Sequence, residues 1–333
     1  MSSCGFQEII NKTITHMKKI FISIMAIAAL AACNKEEAVE VQKGDAIAFG
    51  DAFVDNATKA IYENASGLTG FTVWGNVDGT NETPLALYGD AGATVSRNSK
   101  DLGVAWDCDV VRYWTPEAEY NFTAIANGTG TTIVNGIPTT ISYTQNGADP
   151  ADLVYGTAAA ETNETCVPTG NVNGTIVEFT LRHLLARVKV QFENQIAAAG
   201  YTYDITNVKI NTAKTGVYTI ANAVDSDPAT IAWDPADDEV ALPYTAITGL
   251  AATVTPVGAQ LIIPGAPVVL SFDYVLKLNG TAIYSTTFTK TVTTTLAEGN
   301  SYNLNVVLKA GNEIDFTLTA LTDWTTDTPV TVE

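Results

Sequence analysis

Ile314-Asp315-Phe316-Thr317-Leu318-Thr319-Ala320 places apolar side chains on one parity and polar ones on the other. Successive side chains of a strand point to opposite faces, so this run reads as a half-buried β-strand with Ile314, Phe316, Leu318 and Ala320 inward. Working outward from it, strand signals cover Glu313 to Ala320, Ser301 to Leu308, Ile283 to Val292, Val268 to Leu278 and Ala259 to Ile263. Val217 to Ala221, Thr206 to Asn211, Arg187 to Phe192, Thr175 to Leu181 and Thr139 to Tyr143 continue the series. Tyr120 to Ala126, Val104 to Trp114 and Val73-Trp74 complete it. Gly, Asn, Asp and Pro clusters separate the runs. No stretch holds a 3.6-residue apolar stripe, so helices should be few and short, with one turn expected over His183 to Ala186. Strands at this spacing without intervening helices predict an all-β fold of two antiparallel sandwiches, divided near 183–187.

The N-terminus carries a different signal. Lys18 and Lys19 form a basic start, Ile20 to Ala29 an apolar run of signal-peptide length, and Leu30-Ala31-Ala32-Cys33 a bacterial lipobox. A transmembrane helix needs ~20 apolar residues, and polar Asn34-Lys35-Glu36-Glu37 arrives too soon. The expectation is cleavage before Cys33 and acylation of its sulfur, with Met17 the better start and residues 1–16 preceding it. Each buried methylene contributes ~0.8 kcal/mol, so two or three acyl chains hold a protein on a bilayer. Asn34-Lys35-Glu36-Glu37 also has the basic-then-acidic look of a surface-export signal, and a solvated linker reads equally well from the spacing.

The formal net charge is −19, and removing the leader takes it near −21. Such an excess opposes nucleic acid and anionic membranes as partners. Cys108 and Cys166 are the cysteines left once Cys4 and Cys33 are set aside; an oxidising compartment would let them pair, and sequence leaves the geometry open. With His183 the one histidine after the leader, no zinc site, cofactor site or catalytic constellation emerges, and no enzyme is expected. Asp234, Asp237, Asp238 and Glu239 lack the EF-hand spacing and read as a solvated loop rather than a calcium site. Trp106, Tyr113, Trp114, Tyr120 and Phe122 make either a sugar platform or core packing, and their alternation favours the core.

Behind the charged linker Cys33 to Lys43, Ala46 to Val54 alternates again. Ile47, Phe49 and Phe53 share one parity and small Ala48, Gly50 and Ala52 the other, as in a first strand of the first sandwich. Lys59 then stands alone, because no other Lys or Arg lies between Lys43 and Arg97. A trypsin-like protease would cut once here, between Lys59 and Ala60, and release linker, lipid and first strand together.

The residues at this point resemble the fimbrillin family, Bacteroidetes proteins that build type V pili. The resemblance rests on the lipobox, Ile47-Ala48-Phe49 before Thr58-Lys59-Ala60, Phe71-Thr72-Val73-Trp74-Gly75 and Tyr113-Trp114-Thr115-Pro116 with Tyr120-Asn121-Phe122-Thr123-Ala124. Asp152-Leu153-Val154-Tyr155 and Phe179-Thr180-Leu181-Arg182-His183-Leu184-Leu185-Ala186-Arg187 follow. Leu261-Ile262-Ile263-Pro264, Gly299-Asn300-Ser301-Tyr302-Asn303-Leu304 and Trp324 close the series. It implies two tandem transthyretin-like β-sandwich domains: 1–32 a signal peptide, 33–59 a lipidated propeptide with the first strand, 60–183 and 184–333 the sandwiches. It also implies a subunit of surface fimbriae that reaches the outer membrane as a lipoprotein, loses the strand of Ile47, Phe49 and Phe53 to a trypsin-like protease, and accepts a donor strand from a neighbouring subunit. On this chain the candidate donors are Ile314, Phe316 and Leu318, or Val330 and Val332 in the tail. Losing Ile47, Phe49 and Phe53 would forfeit roughly 5–9 kcal/mol at about 1.5–3 kcal/mol per side chain. A stalk needs a donor and a tip does not, while an uncut Lys59 suits an anchor. The other reading is a monomeric, surface-exposed glycan-binding lipoprotein.

Overall fold

The computed structural model describes residues 44–50, 53–54, 68–78, 83–97, 106–147, 151–196, 198–220, 233–321 and 329–330. These residues are almost wholly β, with no α-helix among them and a 3-10 turn at Ala310–Asn312. The lipobox, Lys59, Ala60, Trp324 and Val332 lie outside the described residues.

The first half of the chain builds a long sheet in the order Phe53–Val54, Thr180–His183, Val154–Thr162, Glu119–Ala126, Gly70–Asp78, Ala93–Ser96 and Asp107–Cys108. A short sheet of Ala48–Phe49, Ile176–Val177 and Val172–Asn173 contributes to the same apolar core. Its centre is Phe49, Phe71, Val73, Trp114, Tyr120 and Phe122. The second half pairs two five-stranded sheets. One runs Val254–Ile262, Ala186–Asn194, Ser301–Leu308, Ile314–Leu321 and Pro329–Val330. The other runs Glu239–Pro243, Tyr201–Ala213, Val268–Leu278 and Thr281–Val292, with Ile247–Leu250 beside Tyr201–Ala213. Val190, Phe192 and Leu304 meet Ile205, Leu270 and Phe272 in the second core, where the Phe192 and Phe272 rings lie edge to face at 5.0 Å.

Among the described residues most pairs are antiparallel, as the alternation predicts, and three run parallel. Ala186–Asn194 lies parallel to Ser301–Leu308, Ala48–Phe49 to Ile176–Val177, and Phe53–Val54 to Thr180–His183. Parallel neighbours cannot be joined by a tight turn. Each of these pairs therefore joins segments more than a hundred residues apart in the chain, beyond the reach of local pattern.

Some strand expectations need correction: Thr175 to Leu181, for one, divides into Ile176–Val177 and Thr180–His183, in different sheets. Val104 to Trp114 reads as one strand, but among its described residues only Asp107–Cys108 is a strand, with a single bridge from Tyr113 to Ala46. Side chains hold the remainder as a loop: Asp109 Oδ1 accepts the Thr94 N–H at 2.8 Å, and Arg112 Nε donates to the Leu87 carbonyl at 2.6 Å. The turn expected over His183 to Ala186 is also absent. His183 ends one strand and Ala186 begins the next, with Leu184 and Leu185 fully buried between them.

Thr139 to Tyr143 and Val217 to Ala221 do not stay in separate halves. Ile137–Thr144 pairs with Thr215–Thr219 in a sheet that also takes Thr129–Val134 and Trp233–Pro235. Ile141, Tyr143, Leu184, Tyr218, Trp233 and Leu261 close a third apolar cluster around it. Trp233 Nε1 donates to the Leu184 carbonyl at 2.8 Å, so the cluster satisfies its indole as well as burying it.

Candidate functional site: a first strand seated in a slot

The segment beginning at Gly44 is held along both edges. On one side, the Gly44 N–H donates to the Trp114 carbonyl at 3.0 Å, Trp114 N–H to Asp45 at 3.1 Å, and Ile47 N–H to Arg112 at 2.8 Å. On the other, Gly50 N–H donates to the Val177 carbonyl at 3.0 Å. Between these walls Ile47 and Phe49 are each only 4% exposed. The Phe49 ring stacks on Phe179 at 6.1 Å, meets Phe122 edge-on at 6.0 Å and Phe71 at 6.4 Å, and lies 6.3 Å from Tyr88. A two-residue strand thus supplies the ring at the middle of the first core.

The register then changes. Ala48 and Phe49 sit opposite Ile176 and Val177, whereas Phe53 and Val54 sit opposite Thr180 and Leu181. The pairing offset differs by one residue between the pieces, so that Val54 rather than Phe53 stands opposite buried Leu181. The two pieces lie on the edges of two different sheets, so one segment closes both.

Gly44 is required by the depth of this seat. A Cβ there would lie 2.6 Å from the Cβ of buried Cys166 and 2.9 Å from that of Trp114, neither of which can swing away. Gly44→Val is therefore expected to unseat the segment. The measurement is limited proteolysis of the uncut chain, in which the variant should be cut between residues 50 and 68 at least about tenfold faster.

The sequence model of the fimbrillin-like family matches residues 58–324, starting just beyond this segment. The chain belongs to the fimbrillin-like family. Membership makes it a fimbrial subunit, working at the cell surface among other subunits. The fold is shared with a fimbrial protein from Bacteroides vulgatus, at 14% identity and a TM-score of 0.53, over 84% of this chain and 99% of that one. It is also shared with a candidate cell adhesion protein from Bacteroides ovatus, at 15% identity and a TM-score of 0.50, over 86% and 99%. No curated protein matches the sequence.

In this fimbrillin-like chain the two candidate donors stand differently. Ile314–Leu321 is zipped to Ser301–Leu308 along eight residue pairs, and Ile314, Phe316 and Leu318 pack partly buried on the second core. The Phe316 ring stacks on Phe288 at 5.0 Å. Of the tail, the described Pro329 and Val330 pair opposite Leu321 and Ala320.

The aromatic set is divided. Trp114, Tyr120 and Phe122 are at most 1% exposed, and Tyr120 meets Trp114 edge-on at 4.7 Å. Half-buried Trp106 packs on Phe71 and beneath the Arg97 guanidinium, and Tyr113 alone is exposed. Three of the five rings therefore serve the core. The acidic cluster lies along the surface, where Asp238 Oδ1 accepts the Thr215 N–H and hydroxyl at 3.1 and 2.9 Å. No disulfide joins Cys108 and Cys166.

His183 has a partner that sequence reasoning missed. Its Nδ1 lies 2.7 Å from Asp152 Oδ2, and both side chains are fully buried. Burial pushes the Asp152 carboxyl up, with the His183 hydrogen bond pulling against it. Asp152 stands before a strand whose Val154 pairs directly with His183, an adjacency no local pattern carries.

Proposed function

We propose that this fimbrial subunit assembles by strand replacement. Its precursor travels as a lipoprotein on Cys33, is cut by a trypsin-like protease between Lys59 and Ala60, and then accepts a donor strand from the next subunit. Phe49 carries the reading: the ring at the middle of the first core belongs to a short edge segment upstream of an isolated basic residue. Releasing the segment opens a slot walled by the backbone of Arg112–Trp114 and Thr175–Val177 and floored by Phe71, Phe122 and Phe179. Unpaired edges and bare aromatic rings together make a template for β-augmentation, and head-to-tail repetition gives a filament.

The donor in this reading is the tail that includes Val330 and Val332. Ile314–Leu321 would have to abandon eight ladder pairs and the Phe288 stack, whereas the described residues of the tail, Pro329 and Val330, give up two. The domain division in this reading is a propeptide at 33–59 and sandwiches at 60–183 and 184–333, built around the first and second cores, with the third cluster between them. The outer membrane is the site of the lipidated precursor, and the fimbria that of the cut form.

Trypsin treatment of the purified, lipid-free precursor tests the route. The expected product begins at Ala60 on N-terminal sequencing and forms a ladder of SDS-resistant oligomers. Lys59→Ala should stay monomeric under the same treatment. A variant that polymerises as well as the native chain would overturn the maturation step.

A further inference from the structure

A surface cleft in the second half shares no lining residue with the first-strand slot. It begins with a break in a ladder. Tyr201–Ala213 pairs with Val268–Leu278 in register up to Thr206 opposite Asp273, and resumes with Lys209 opposite Ser271. The intervening Asn207 and Val208 form a bulge: Val208 turns into the core, while Asn207 takes φ +53° and stays exposed. Asparagine tolerates that conformation better than most residues, and bulges re-aim side chains. Here Asn207 Nδ2 donates to Asp273 Oδ2 at 2.6 Å. From the other side, the Thr287 hydroxyl donates to Asp273 Oδ1 at 2.5 Å.

The strand registers set further groups beside this carboxylate. Pro243, Lys209, Ser271 and Thr289 form one row across four neighbouring strands. They line a cleft of about 510 Å³ with Asn207, Asp273 and Thr287. Ser271 is 8% exposed, and its Oγ has no hydrogen-bond partner among the described residues. A buried hydroxyl left unsatisfied is unfavourable, and a ligand group that reached it would recover the loss.

We propose that this cleft binds a neutral saccharide unit of a surface glycan. Lys209 and Asp273 put opposite charges into one small space, so a simple anion meets the carboxylate and a metal cation meets the ammonium. Sugar hydroxyls both donate and accept, and they satisfy Asp273, Asn207, Lys209 and Ser271 together. The hydrogen bonds from Thr287 and Asn207 hold the Asp273 carboxyl below the usual carboxylate range, keeping it an acceptor at neutral pH. The Pro243 ring offers an apolar edge to sugar C–H groups, and the −19 net charge disfavours acidic polysaccharides. The volume falls in the ordinary range for small-ligand clefts. The site goes beyond the assembly reading and is complete in the uncut monomer.

The test is saturation-transfer NMR on the uncut, lipid-free chain with methyl glycosides of neutral hexoses and N-acetylhexosamines. Saturable binding by at least one sugar is expected. Asp273→Ala should weaken it by about tenfold or more, the loss of a charge-assisted hydrogen bond. Ser271→Ala should weaken binding and leave the unfolding midpoint unchanged or higher, because the hydroxyl it removes is unsatisfied in the fold. Absence of binding across the panel, binding untouched by both variants, or a preference for phosphate, calcium or glycine would each overturn the assignment. Polymerisation is not read in this assay, so its failure leaves strand replacement standing.

Discussion

Phe49→Ala is expected to destabilise the uncut, lipid-free chain by about 3–5 kcal/mol, read as a lowered urea midpoint at unchanged slope. Truncating a buried phenylalanine removes its transfer free energy and leaves a cavity that rigid neighbours fill poorly. Here the neighbours are themselves aromatic: Phe71, Phe122 and Phe179 stand 6.0 to 6.4 Å from the ring, and edge-to-face pairs add to plain burial. The strand that carries Phe49 is two residues long, so little ladder remains to hold it once the ring is gone. The control gives the experiment its meaning. After cleavage at Lys59 and release of the segment, native and variant chains are identical, and their stabilities should coincide. A loss under about 1 kcal/mol in the uncut chain would show that Phe49 is not what fills the core, since surface-like substitutions give such values. The variant should also release its segment faster after cutting, because the same contacts oppose departure.

Why the plug was legible in the sequence, while much around it was not, follows from the range of the interactions. Ile47 and Phe49 alternate with small residues, and that local pattern is sufficient to mark an inward face. Val268–Leu278 and Ser301–Leu308 are readable to the residue for the same reason, since Leu270, Phe272 and Tyr274 face one core in strict alternation. Val154–Thr162 is not. Its Ala158, Ala159 and Ala160 carry little strand preference, and Gly156 is fixed by the backbone across from it, where a Cβ would lie 2.5 Å from the Thr180 carbonyl. The sheet joining the halves was equally hidden, because Ile137–Thr144 finds its partner at Thr215–Thr219 by tertiary packing. The one-residue shift before Phe53 and the bulge at Asn207 are also invisible to alternation, which registers parity but not an inserted residue.

The buried pair at the junction supplies the second large effect. Asp152→Val alone is expected to cost about 3–5 kcal/mol, and His183→Leu alone a similar amount, because each removes one member of a buried hydrogen-bonded pair. Replacing both at once should cost less than either single change, since an apolar pair of similar volume carries no such penalty. The unfolding cycle measures the coupling directly, and additive costs would mean the two side chains do not act as a unit. The position makes the pair more than a core detail. His183 ends the strand that Phe53–Val54 borders, and the following Leu184 N–H donates to the Leu153 carbonyl at 3.0 Å. Leu184 in turn accepts from Trp233 of the second half. One short path thus runs from the edge that the first segment covers, through His183 and Asp152, to the cluster joining the halves. A single-site variant should weaken that cluster as well as the first core, so near-ultraviolet circular dichroism from Trp233 and Tyr218 should change before the main unfolding transition. In the double variant that early change should disappear, because the path is again packed.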